Sequence, residues 1–156
     1  MKALVISDTH IPTRLKEFPP ALVDLFKNVD QVIALGDFVD METVLTIKGL
    51  KQNFQAVHGN MDYPDVKEYL PPKKVFATEN IRIGICHGWG PPFRIRERIV
   101  NLFKEKPDVI LYGHTHLFDD SLHNDVRFLN PGAVCDGSCA LLEIDGGAIR
   151  FEQIRF

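Results

Sequence analysis

Cysteine is scarce. The 156 residues include three, Cys86, Cys135 and Cys139, an odd number with no CxxC spacing. That argues against a disulfide framework and for reduced thiols in a cytoplasmic protein. Basic residues are not in excess: 18 Lys and Arg against 21 Asp and Glu leave a formal charge of −3. A general nucleic-acid binder would show a basic patch or stripe, so no nucleic-acid partner is expected. No run approaches the ~20 apolar residues of a membrane span, so no membrane partner is expected either. The opening MKALVISDTH has too short an apolar run for a signal peptide. Repeats, linkers and low-complexity tracts are lacking too.

What remains is an ordinary composition, 45% apolar and 25% charged, in a length that predicts one domain over 1–156. Short apolar runs rich in Val and Ile recur. Lys2 to Ser7, Asp30 to Leu35, Phe54 to Val57, Ile81 to Cys86 and Asp108 to Tyr112 read as strands. Each ends in a polar cluster: Asp8-Thr9-His10, Gly36-Asp37, Gly59-Asn60-Met61-Asp62, His87-Gly88 and Gly113-His114-Thr115-His116. Strands of one sheet would bring these clusters to one edge, where ligands bind in open α/β sheets.

Between the strands, Pro19-Pro20 opens a helix running to Asn28. Asp40 caps a second from Met41 to Leu50. Tyr63 to Lys74, with Pro64, Pro71 and Pro72, reads as a loop. Val75 to Ala77 and Ile81 to Ile85 form a hairpin, and a third helix runs from Pro91-Pro92 to about Lys104. The tail is β-rich, with turns at His123-Asn124-Asp125 and Asp145-Gly146-Gly147. Strand–helix alternation followed by hairpins predicts an α/β protein with a two-sheet core and helices outside.

The clusters supply metal-ligand chemistry. Asp8 and His10, in extended chain, would lie on one face about 6.6 Å apart. The same spacing places His114 and His116 together after their strand, and imidazole is the commonest metal-binding side chain. Asp37 offers two oxygens that can bridge cations, and Asn60 a neutral amide oxygen. Taken singly, each has a structural reading: turn, helix cap, or satisfied core histidine. Taken together they are improbable as independent turns. His58 and His123 fall outside the set, and Cys86 faces the core side of its strand. Arg14 and Arg94 are read as solvated rather than phosphate-bound. Trp89 and Phe93 either line the site or cover the sheet edge.

The five blocks, in this order along nearly the whole chain, resemble the calcineurin-like metallophosphoesterase superfamily. The likeness is greatest to its small single-domain phosphodiesterase branch, whose scaffold the retromer subunit Vps29 shares. The resemblance implies a four-layer α/β/β/α sandwich. It implies that Asp8, His10, Asp37 and His116 hold one divalent metal, with Asp37 bridging, and that Asn60, His87 and His114 hold the other. Asp37, Asn60 and His87 are thereby catalytic. The mixed oxygen and nitrogen donors suit Mn²⁺, Fe, Co, Ni or Zn, with Mn²⁺ expected to support activity. The implied reaction is hydrolysis of a small phosphoester by a metal-bridging hydroxide, with no enzyme nucleophile. A phosphomonoesterase, or a retromer-like scaffold without activity, are the alternatives. Two positions depart from the family pattern. Met61 stands where many members carry a histidine that helps the leaving group, and Trp89 follows His87-Gly88 where many carry histidine. Asp62 is kept and is expected to orient the ligands.

Overall fold

Alternating side chains along the first strand build two cores at once. In the computed structural model, which describes residues 1–156, β1 (Lys2–Ile6) sends Leu4 and Ile6 to one side and Ala3 and Val5 to the other. Successive strand residues face opposite ways, so a strand covered on both faces must be apolar throughout. β2 (Gln31–Ala34) divides likewise, Val32 and Ala34 against Ile33.

Eight more strands follow: β3 (Phe54–Ala56), β4 (Lys73–Thr78), β5 (Ile81–Cys86), β6 (Val109–Leu111), β7 (Phe118–His123), β8 (Val126–Pro131), β9 (Ser138–Asp145) and β10 (Ala148–Arg155). They form two five-stranded sheets, ordered β10-β9-β1-β2-β3 and β4-β5-β6-β8-β7. Ala3, Val5 and Ile33 meet Ile83, Ile85 and Leu111 between the sheets. On the outside, α1 (Pro20–Leu25), α2 (Met41–Leu50) and α3 (Pro64–Tyr69) cover the first sheet through Leu22, Val44, Ile47 and Val66. The short α4 (Ile95–Val100) covers the second through Ile95 and Ile99. The result is the expected four-layer α/β/β/α sandwich. Cys86 packs in the core under α4, as its strand position requires.

Strand direction positions the site. β1, β2 and β3 are parallel, and so are β5, β6 and β8. The chain therefore leaves β1, β2 and β3 at one edge of the first sheet, and β5 and β6 at one edge of the second. All five polar clusters lie just beyond those exits.

The helices differ from expectation in two places. Residues 63–74 are not a plain loop. Pro64 starts α3, since a missing N–H is harmless in a first helical turn, and Leu70 before Pro71 ends it. Lys73 and Lys74 already belong to β4. The third helix is shorter than its apolar pattern suggests. Arg94, at φ 58°, precedes it in the left-handed region. Beyond Val100 the chain tightens, with Leu102 N–H donating to Ile99 O and Phe103 N–H to Val100 O. The Asp40 cap forms as expected, its Oδ1 accepting from Thr43 N–H at 2.9 Å. No helix is long and apolar enough to cross a membrane.

Candidate metal centre

The loops that carry the donors are not extended. Asp8, His10 and Asp37 have φ of 54°, 48° and 56°, and His114 and His116 have 69° and 60°. The strand-spacing argument for Asp8/His10 and His114/His116 therefore fails, although both pairs reach the same region. Left-handed backbone is uncommon outside glycine and costs of order 1–3 kcal/mol per residue when imposed. Valine is worse suited still, yet Val39 has φ 87°. Asp62 holds this segment. Its buried carboxylate accepts from the N–H groups of Asp37 (3.1 Å), Val39 (2.8 Å) and Gly59 (2.6 Å). It thus pins the loops after β2 and β3 together through their backbones. Asp8 N–H donates to Gly36 O and His10 N–H to Asp37 O, both at 3.0 Å, which ties in the loop after β1.

Each carboxylate has one oxygen held and one left facing imidazoles. Asp37 Oδ1 accepts from Met61 N–H at 2.7 Å, while Oδ2 lies 3.2 Å from His87 Nε2 and 3.8 Å from His10 Nε2. Asp8 Oδ2 accepts from the Ser7 hydroxyl (2.5 Å) and His114 N–H (3.0 Å). Asp8 Oδ1 is buried with no hydrogen-bond donor. Three Nε2 atoms surround it, those of His116 at 3.3 Å, His10 at 3.7 Å and His87 at 3.9 Å. Burial works against the Asp8 charge, but His10, His116, His87 and Ser7 outweigh it and hold the carboxyl far below the usual range.

The imidazoles are aimed by backbone carbonyls. His87 Nδ1 lies 2.7 Å from Leu35 O, which can only accept. One proton therefore sits on Nδ1, and the buried Nε2 is turned toward Asp37 and Asp8 without a hydrogen-bond partner. In the metal-free protein, burial of this ring opposes protonation. The Asp37 carboxylate and the charge of Asp8 prevail and raise its pKa to about 9. His114 follows the same logic. Its Nε2 is 2.8 Å from Gly90 O, so Nδ1 presents a lone pair to Asn60 Oδ1 at 3.0 Å. Two acceptors that close repel unless a cation or proton lies by them. The His87 and His114 rings meet edge-on at 5.3 Å. Buried polar groups are almost always satisfied, so the unmatched Asp8 Oδ1 and the facing His114 and Asn60 acceptors fit positive charge, whether a cation at the centre or, without one, the proton that His87 Nε2 holds beside Asp37 and Asp8. Their oxygen and nitrogen donors fit divalent transition metals.

Two residues of the site have no signal in the sequence. Asp136 Oδ2 lies 2.7 Å from His116 Nδ1, and its Oδ1 accepts from Arg14 at 2.7 Å. A carboxylate on the far nitrogen fixes a histidine's tautomer and aims Nε2 at the centre. Cys135, half-buried, places Sγ 4.0 Å from His116 Nδ1. Both lie in the run Ala133-Val134-Cys135-Asp136-Gly137, which matches no donor spacing. Arg14, read as solvated, reaches 3.4 Å from His116 Nδ1. Arg94 pairs instead with Glu97. His58 borders a cleft of about 610 Å³ with Asn60, His87 and Trp89, although its Nδ1 contacts only Gly59 O. His123 stacks edge-on against Phe128, away from the cluster.

Known proteins match along nearly the whole chain. The model of the calcineurin-like phosphoesterase superfamily domain matches residues 1–147. A Methanocaldococcus jannaschii protein named as a probable metallophosphoesterase is 39% identical over 146 residues, covering 90% of this chain and 71% of that one. A Thermotoga maritima protein solved by NMR is 49% identical, with a TM-score of 0.85 over 99% of both chains. Chaetomium thermophilum Vps29 has the same fold at 21% identity, with a TM-score of 0.80 over 98% of this chain and 96% of its own.

Proposed function

This chain belongs to the calcineurin-like phosphoesterase superfamily, and from that premise we propose that it is a dinuclear-metal phosphodiesterase acting on small phosphodiesters. The observation that carries the reading is Asp8 Oδ1, a buried acceptor with no donor, ringed by the Nε2 atoms of His10, His87 and His116. Asp8, His10 and His116 would hold one divalent cation, and Asn60, His87 and His114 the other. Asp37 would serve both. When bound, such a pair neutralises phosphoester charge and brings the pKa of water toward ~7.

The protein's own groups prepare that chemistry. Met61 N–H fixes Asp37 Oδ1 and leaves Oδ2 free to face both sets of imidazoles. The Leu35 and Gly90 carbonyls hold the His87 and His114 tautomers, so lone pairs point inward. None of the seven donors is a serine or cysteine, and the proposed hydrolysis includes no covalent enzyme ester. Met61 is 55% exposed and cannot give a proton to a departing alkoxide. Good leaving groups are therefore favoured.

A substrate panel with Mn²⁺ tests the reading. Aryl phosphodiesters are expected to react faster than alkyl diesters and than aryl monoesters. Equal rates on aryl and alkyl diesters would refute the Met61 argument, and faster monoester hydrolysis would make the protein a phosphatase. The Vps29 fold likeness supports a second reading, a scaffold without activity. All seven positions here carry donors, but a scaffold can keep them, since a Vps29 from Entamoeba histolytica has been solved complexed with zinc. Absence of turnover on every substrate of the panel would therefore favour the scaffold. A metal content near zero in Mn²⁺-replete protein would favour it.

A further inference from the structure

A cleft of about 610 Å³ borders the second proposed cation position, with Asn60 and His87 in its wall. The rest of that wall carries positive charge. Lys67 and Lys73 line it, and no Asp or Glu does, in a chain whose formal charge is −3. Both lysines are tied to the residues of the cation position. Lys67 Nζ donates to Asn60 O at 2.9 Å. Lys73 stands opposite Cys86, the residue before His87, in the β4–β5 ladder, and its Nζ donates to Leu102 O. Each thus spends one N–H on a neutral carbonyl and makes no ion pair, whereas Lys2 and Lys27 pair with Glu143 and Asp24. An ammonium has three donors, so each keeps donors and a full charge for a ligand. The cavity of about 440 Å³ beside Thr115 contrasts with this cleft. Its Arg96 is already forked onto Asp119, and its Arg94 pairs with Glu97.

We propose that this cleft seats the non-reacting part of the substrate, and that this part carries a second phosphate held by Lys67 and Lys73. The inference rests on the phosphodiesterase reading and deepens it: the substrate class is a phosphodiester bearing a further phosphate group. The two anionic groups have separate receptors. The reacting diester meets the cation positions. A terminal phosphate carries about −1.5 to −2 charge near neutral pH and three strong acceptor oxygens, which suits two ammonium groups with donors to spare. Lysine meets phosphate as a flexible point charge rather than a fixed fork. The contact therefore contributes affinity without fixing the geometry of the reacting phosphorus. It is made alike in the bound substrate and in the transition state, so it lowers KM and leaves kcat nearly unchanged.

Two substrates with one leaving group test the subsite. The p-nitrophenyl 5′-ester of thymidine phosphate is compared, with Mn²⁺ present, with the same ester carrying a second phosphate on the sugar 3′-oxygen. The expected kcat/KM is about tenfold higher for the second. The advantage lies in KM and shrinks as KCl is raised, because exposed charges are screened. Lys67→Gln and Lys73→Gln each remove part of it, and together they bring the ratio between the two esters toward one. Lys67→Arg and Lys73→Arg keep it. Each variant is judged by its own ratio, so a general loss of activity does not imitate the effect. Hydrolysis of bis(p-nitrophenyl) phosphate is the reference reaction. Where it proceeds, equal kcat/KM for the two nucleotide esters, or no turnover of either, would overturn the subsite alone. An advantage unchanged in both Gln variants would also overturn it. Where the folded wild type hydrolyses none of the three, the phosphodiesterase reading falls and the subsite falls with it.

Discussion

Both edges of the sandwich turn the chain through left-handed residues, but under different conditions. Away from the centre, Glu79-Asn80, Asn124-Asp125 and Gly146-Gly147 join β4 to β5, β7 to β8 and β9 to β10, all with positive φ. Those six residues are exposed, and two-residue turns of this kind suit the twist of antiparallel strands. At the other edge Asp8, His10, Asp37 and Val39 share that conformation while buried. There it serves no hairpin. It bends each loop inward just after a parallel strand, so that side chains from separate strands converge. Unfavourable backbone persists only where its surroundings over-determine it. Here Asp62 and the cross-loop hydrogen bonds of Asp8 and His10 do so. The far edge should tolerate substitution, and the near edge should not.

Asp37→Ala should break the contrast most severely. Removing the group shared by both cation positions should empty both and lower kcat/KM by about a thousandfold or more, checked by metal analysis and aryl diester turnover. Glycine substitutions compare the edges directly. A Cβ on Gly59 would collide with the Asp37 carboxylate and lie 2.6 Å from Asp37 N, whereas one on Gly146 would meet nothing within 4 Å. Gly59→Ala should therefore cost about 3 kcal/mol or more of stability together with metal binding. Gly146→Ala, with only its left-handed φ to oppose it, should cost about 1 kcal/mol and no activity. Denaturant melts would separate the two.

A smaller effect is expected one contact further out. Asp136→Asn weakens the hold on His116 Nδ1 and should lower metal affinity by about 10–100-fold, with stability nearly unchanged. The mildest effect is the response to pH. In metal-free protein the His87 pKa is raised from 6.5 to about 9. The folded state therefore holds this proton more tightly than the unfolded state. The resulting stability is full below pH 6.5 and is lost as pH rises through about 9. Melting temperature should fall over that window after chelation. It should fall less with Mn²⁺ present, because the cation replaces the proton.

Much of this edge was legible in the sequence because parallel strands buried on both faces must be apolar throughout. Runs such as Lys2 to Ser7 and Asp30 to Leu35 therefore announced themselves, and the polar residues after them marked the exits. The local geometry was not legible. Asp8 and His10 were expected in extended chain, yet both are left-handed, a conformation imposed by Asp62 and cross-loop contacts distant in sequence. The prolines around residues 63–74 suggested a loop, although Pro64 is placed to begin α3. Asp136 and Cys135 were missed because their partners, His116 and His10, lie about a strand hairpin or a whole sheet away along the chain. Nothing adjacent to them in the sequence encodes that meeting.

Anomalous diffraction from a crystal soaked in Mn²⁺ tests the central claim most directly. The account predicts two neighbouring peaks, one bounded by Asp8, His10 and His116, the other by Asn60, His87 and His114, with Asp37 Oδ2 between them. A lone peak, or none among these side chains, would contradict it.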